Sequence, residues 1–113
     1  MSAEPRKVRI AENEARFREI NETLQEGLRR LPADPRPVAF VCECGVRTCE
    51  AMVLVTSEEY EAVRANPRRF FVLTGHEFPE AETVVDRHDQ FVVVEKHPDV
   101  ADVVEGSYPR RNA

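Results

Sequence analysis

The amino-acid sequence predicts an α+β domain: a long N-terminal helix, then a small mixed four-stranded sheet with helices packed on one face. Three observations point there. Residues 5–31 carry one apolar stripe at helical spacing. Four short runs rich in Val and Phe, at 38–42, 51–55, 69–75 and 91–96, read as strands. The stretches before and after the third run carry helix signals rather than hairpin turns.

The first helix is expected over 5–31. Pro5 suits its first turn. Ile10, Phe17, Leu24 and Leu31 recur every seven residues, with Ile20 and Leu28 beside them, which makes one stripe. Glu12 and Arg16, Glu14 and Arg18, and Glu26 and Arg30 are each four apart and positioned to pair on the outer face. Pro32 disfavours helix at Leu31, so the helix stops there. "PADPRP" (32–37) is a stiff linker that lets the helix either dock or swing free. The stripe serves core packing, or else a seam for a second copy or a partner. Asn13 and Gly27 occupy positions where a strict coiled coil needs apolar residues.

"VAFVC" and "AMVLV" are expected to form a hairpin around the cysteine turn. "TSEEYEAVRANP" opens with a capping box, Thr56 with Glu59 three residues on, and runs to about Ala65. "RFFVLTG" is the third strand. In "FPEAETVVDRHDQ" Pro79 and the following acids suit a helix start, and Ala81, Val84, Val85 and His88 fall at helical spacing, so a helix is predicted. "FVVVEK" is the fourth strand, and a short closing helix ends at Gly106. The chain thus divides into a helix and linker (1–37), an α+β body (38–106) and a flexible tail (107–113).

A chain of 113 residues is one domain by length and holds a modest core. The net charge of -5 disfavours general binding to nucleic acid or anionic membrane, which depends on neutralising phosphates. The N-terminus carries no apolar signal-like run, and no apolar run is long enough to span a bilayer. An odd number of cysteines suits no closed disulfide framework, which fits a reducing cytoplasm.

Every cysteine of the chain lies in "FVCECGVRTCEAMV", at Cys42, Cys44 and Cys49. Thiolates are soft ligands suited to zinc, and Gly45 gives the turn backbone freedom. The spacing Cys-x-Cys-x4-Cys is not that of a common zinc ribbon. A closed site needs a fourth ligand, and the candidates are His76, His88 and His97. His76 is preferred because "TGHE" is a loop freed by Gly75. His88 takes its place if the second and third strands run parallel, and His97 is the weakest. Glu43 and Glu50 are expected to raise the thiols, which argues against an activated nucleophile, with Arg47 the one counterweight. Arg64, Arg68 and Arg69 make a basic spot that is either a solvated face or an anion site. No phosphate-cradling glycine loop is present.

"NEARFREIN", "FVCECG" with its third cysteine, "EYEAVRANPRRF", "GHE", "RHD" and "VVVEK" together resemble a family of small actinobacterial proteins over about residues 9–96. The resemblance implies a cytoplasmic bacterial protein and supplies no catalytic residue. The expectation is therefore a non-enzymatic binding or regulatory module. Cys42, Cys44, Cys49 and His76 hold zinc, and the first helix offers a surface to a protein partner or a second copy. A thiol redox sensor or thiol enzyme using the three cysteines is the alternative from another class. A transcription-associated protein using the arginine spot is the third.

Overall fold

The computed structural model describes residues 4–110. Helix α1 (Pro5–Leu28) is followed by strands β1 (Val38–Val41) and β2 (Met52–Val55), helix α2 (Ser57–Arg64), strands β3 (Arg69–Leu73), β4 (Glu82–Arg87) and β5 (Phe91–Lys96), a single 3-10 turn at Pro98–Val100, and helix α3 (Ala101–Gly106). The class is the expected one, α+β with a long N-terminal helix. The sheet differs from expectation. In place of one mixed four-stranded sheet there are two antiparallel ones, the hairpin β1-β2 and a three-stranded sheet in the order β3-β5-β4.

The fifth strand accounts for the difference. Residues 82–87, expected as helix, form β4. Phe78 closes a turn by accepting from the N–H groups of Ala81 and Glu82, and Thr83, Val84 and Val85 then continue as a β-branched run suited to a strand. The spacing of Ala81, Val84 and Val85 fits a helix equally well in so short a stretch. The deciding factor is β5, whose Phe91–Val94 run is buried throughout. Such a strand needs a neighbour on each edge, and β4 supplies the second, with a bulge at Val84/Asp86.

The hairpin and capping box form as expected. β1 and β2 pair from Val38↔Val55 to Val41↔Met52, and Thr56 and Glu59 exchange both bonds of the box. The core lies between the hairpin, α2 and the β3-β5-β4 sheet, where Phe40 stacks on Tyr60 at 4.7 Å and meets Phe71 edge-on.

The first helix docks on the body, and it does so with an unexpected face. Ile10 and Ala11 are buried, but from there the buried row is Glu14, Arg18, Asn21 and Gln25. Ile20, Leu24 and Leu31 of the predicted stripe stay 44%, 41% and 62% exposed. Each polar residue of the row meets a different element. Glu14 accepts from the Lys96 ammonium, which also binds Glu82 at 3.0 Å. Arg18 donates to the Pro67 and Val104 carbonyls at 2.8 and 2.7 Å, its guanidinium lying over Phe70. Asn21 donates to the Val41 carbonyl at 2.8 Å and accepts from the Val41 N–H at 2.9 Å, closing the free edge of β1 as a strand would. Gln25 donates to Ser57 and Glu61. Burial, with Glu82 beside it, holds the Glu14 carboxyl well above the usual range.

None of the three i,i+4 pairs expected along α1 forms. Glu14 and Arg18 are buried with other partners, and Glu12 and Glu26 make no pair with Arg16 and Arg30. The helix ends at Leu28, and Arg29–Leu31 close with tighter bonds. The predicted arginine spot is not an open cation patch. Arg64 is buried against Glu43, while Arg68 and Arg69 pair with Glu105 and Glu95. Residues 107–110 of the expected tail are anchored: the Tyr108 hydroxyl donates to the Arg64 carbonyl, and Arg110 grips Glu22 and Glu61. The rest of the tail lies outside the described residues.

Removing one partner of a buried ion pair leaves an uncompensated charge. Arg64→Met is therefore expected to cost about 3–5 kcal/mol in urea unfolding, whereas Arg36→Met, at an exposed pair, leaves the midpoint in place. Glu61 gives a second test. Its hydrogen bond with Arg110, chiefly, holds it at about 2. A carboxylate lowered on folding stabilises the fold above its unfolded value, near 4.5, and loses that contribution as the pH falls towards about 2. Arg110→Gln is expected to flatten that part of the stability–pH curve relative to the parent chain.

Candidate metal centre

The cysteine turn grows directly from the hairpin. Cys42 follows β1 and extends the ladder by donating its N–H to the Ala51 carbonyl at 3.0 Å. Cys42 and Cys44 send their sulfurs to one cluster, and Glu43 between them sends its carboxylate to other partners. Glu43 points inward and is fully buried. Its carboxylate accepts from Arg64, from Asn21 at 2.9 Å and from the Phe71 N–H at 3.3 Å, while its own N–H donates to the Phe71 carbonyl. The expectation that Glu43 acts on the thiols as a nearby free charge is thus overturned, because Arg64 neutralises it.

Beyond Cys44 the chain turns at Gly45. A Cβ there would lie 2.5 Å from a methyl of Ile10 and 3.1 Å from Phe78, so the close approach of α1 requires glycine. Asn13 of α1 holds the Gly45 carbonyl at 2.9 Å. Cys49 then closes the turn, its N–H donating to the Val46 carbonyl at 3.0 Å.

His76 arrives from the end of β3. Leu73, Thr74, Gly75 and His76 form a β-turn closed by the His76 N–H on the Leu73 carbonyl at 2.9 Å. Gly75 has φ +94°, and no other described residue has positive φ, which is the pattern of a type II turn. The ligand atoms of Cys42, Cys44, Cys49 and His76 all lie within 4.8 Å of one another. His76 Nδ1 is 3.7 Å from the sulfurs of both Cys42 and Cys49. Zinc–sulfur and zinc–nitrogen bonds of ordinary length in a tetrahedron place ligand atoms about 3.5–3.8 Å apart, which the two 3.7 Å distances from His76 match.

The Cys42 sulfur receives the Leu73 N–H at 3.2 Å, and the Val46 and Ala51 N–H groups favour the charged forms of Cys44 and Cys49. Such bonds favour the charged form of the ligand. Cys44 is lowered to about 5, first by its bond with Cys42 and then, against its burial, by the Val46 N–H, His76 and Cys49. Cys42 is raised by the same bond with Cys44, and Cys49 by burial. A metal ion would draw all three thiols into the thiolate form. None of the three cysteines is in a disulfide.

The other histidines stand elsewhere. His88 stacks on Phe91 at 4.3 Å and lies 3.3 Å from Glu59 and 3.1 Å from Asp86. His97 meets the Thr83 hydroxyl at 3.0 Å. Sequence reasoning missed the residues that position the ligands, namely Glu43, Asn13, and the Leu73, Val46 and Ala51 N–H donors. Only Glu43 carried a signal, as a single charged residue between two cysteines at the end of a strand.

Gly75→Ala is expected to strain the turn that delivers His76, with a loss of about 1–2 kcal/mol in thermal or urea unfolding. No family model, curated protein or solved structure matches this chain.

Proposed function

We propose that this chain is a small cytoplasmic binding or regulatory module, without enzymatic activity, whose cysteine turn is held by one structural zinc ion on Cys42, Cys44, Cys49 and His76. The observation that carries the reading is the convergence of three sulfurs and one imidazole nitrogen within 4.8 Å. Four protein ligands close a tetrahedron and leave no position for water or substrate, which is the arrangement of a structural rather than a catalytic zinc. Soft sulfur donors favour zinc over magnesium or calcium. Three free cysteines suit a reducing compartment. No described helix is long and apolar enough to cross a membrane. The exposed row Ile20, Leu24 and Leu31 on and just beyond α1 is the surface offered to a protein partner or a second copy.

One observation favours a thiol redox reading instead, the lowered Cys44 thiol. Burial weighs against it. Cys44 and Cys42 are shut off from solvent, and reactive thiols need access.

The test is metal content by elemental analysis together with free-thiol titration on the untagged protein. About one zinc per chain with protected thiols is expected. Cys44→Ser should lower both the metal content and the melting temperature, and unchanged values for both would overturn the reading. A zinc-free parent chain with three freely alkylated thiols, one of them titrating well below an ordinary thiol, would establish the redox reading in its place.

A further inference from the structure

Most cations of this chain have a partner. Among the described residues only the side chains of Arg9, Arg16, Arg30, Arg47 and Arg87 make no hydrogen bond or ion pair. Three of these five converge on one groove. It runs between the first half of α1 and the tip of the cysteine turn, with a volume of about 590 Å³. Arg6, Arg9 and Arg16 line it from the helix, Arg47 from the turn, and Phe78 and Val46 supply apolar wall. Glu12 is the one carboxylate in the lining, against four arginines. Arg6 is already oriented, bound to Glu80 at 2.9 Å with its guanidinium 5.7 Å from the Phe78 ring centre.

The convergence follows from the fold. Residues 6, 9, 13 and 16 lie on one flank of a helix. Asn13, in the middle of that flank, is tied to the Gly45 carbonyl at 2.9 Å. That bond fixes the arginine flank against the turn and brings Arg47 to face it. In a protein of net charge -5, acidic side chains are plentiful, yet among the described residues none forms an ion pair with Arg9, Arg16 or Arg47, and Glu12 is the one carboxylate beside them. Like charges held together without counter-charges repel, and a bound anion relieves that repulsion.

We propose that this groove binds a small ligand carrying two or three phosphate groups, of the class of a nucleoside diphosphate. The guanidinium fork matches phosphate oxygens two at a time. Arg9 and Arg16 lie two turns apart, about 10 Å along the axis, so the three open forks of Arg9, Arg16 and Arg47 suit a chain of phosphates better than one, while the Arg6 fork is held by Glu80. The groove has the volume of a small-ligand site. Phe78 and Val46 offer an apolar surface for the rest of the molecule. The acidic remainder of the protein disfavours a long polyanion that would run beyond the groove.

The test is titration of the metal-replete chain with magnesium-saturated ADP, followed by calorimetry, with zinc content measured before and after. Binding that weakens as salt rises is expected. Arg9→Gln, Arg16→Gln and Arg47→Gln should each weaken it roughly tenfold or more, while Arg30→Gln and Arg87→Gln leave it unchanged. All five side chains make no bonds within the described fold, so matching melting curves will show that the variants remain folded. Absence of binding up to about 1 mM overturns the proposal. So does equal weakening by the two control substitutions. Tighter binding of a single-stranded 12-mer or of an oligoglutamate peptide than of ADP would reassign the groove to those partners and overturn the small-ligand proposal. Loss of zinc without calorimetric binding would show chelation alone, and overturns it as well.

Discussion

Glu43 stands between two cysteines with its carboxylate turned into the protein, and four separate parts of the fold meet on that carboxylate. Arg64 brings α2, Asn21 brings α1, the Phe71 N–H brings β3, and the residue itself belongs to the cysteine turn. Both charged partners are fully buried. A pair of this kind is a weak source of net stability, since desolvation offsets much of the attraction, but breaking one half is severe. Its effect here is positional. A hydrophobic residue at 43 could fill the same space in several ways, whereas a carboxylate with three directional donors has one arrangement. The two cysteines flanking it inherit that fixity, so a ligand pair is oriented by the core beneath it.

The polar seam of α1 follows the same logic. Glu14, Arg18, Asn21 and Gln25 each find a partner on a different element, and the helix is keyed to the body by bonds that a one-turn slip would break. Several donors of this network lack conventional acceptors, among them Arg18 Nε and Arg64 Nε and Nη1. The two guanidinium groups lie over aromatic rings instead, Arg18 at 4.8 Å from Phe70 and Arg64 at 4.8 Å from Tyr60. For Arg64 the ring face adds to the Glu43 and Glu22 carboxylates, and for Arg18 it adds to the Pro67 and Val104 carbonyls.

The secondary structure was legible in the sequence wherever a local signal was the deciding one. Thr56 and Glu59 define a helix start by their own chemistry, and the Val- and Phe-rich runs became strands. Residues 82–87 were misread because helical spacing in a short apolar set cannot be told from strand without knowing that β5 has a second edge to cover. The buried face of α1 was hidden for a related reason. Periodicity reports where apolar residues fall, and the body instead receives the polar row offset from them. Lys96, Arg64 and Glu61 lie far along the chain, and nothing local announces that they will meet positions 14, 43 and 25. The candidate site fared better. Its cysteines, at 42, 44 and 49, fall in one short turn, and Gly75 before His76 marked a turn able to bring the histidine round.

The centre and the arginine groove share a single structural dependency, the tip of the cysteine turn. Gly45 has Ile10 and Phe78 against it on one side and carries its carbonyl to Asn13 on the other. Cys44 immediately before it and Arg47 two residues after it therefore cannot be positioned independently. A tetrahedral ion on Cys44 and Cys49 would clamp both ends of the segment that presents Arg47, and the Cys49 N–H bond to the Val46 carbonyl closes it. An exposed loop of this length would otherwise sample many conformations and lose more entropy on ligand binding. The order imposed on Arg47 by the ion would thus lower the cost of gathering it with Arg9 and Arg16 around an anion. On that argument, a metal on Cys44 and Cys49 and an anion in the groove would act on the same turn and stabilise one another, with the α1 flank as the groove's fixed wall.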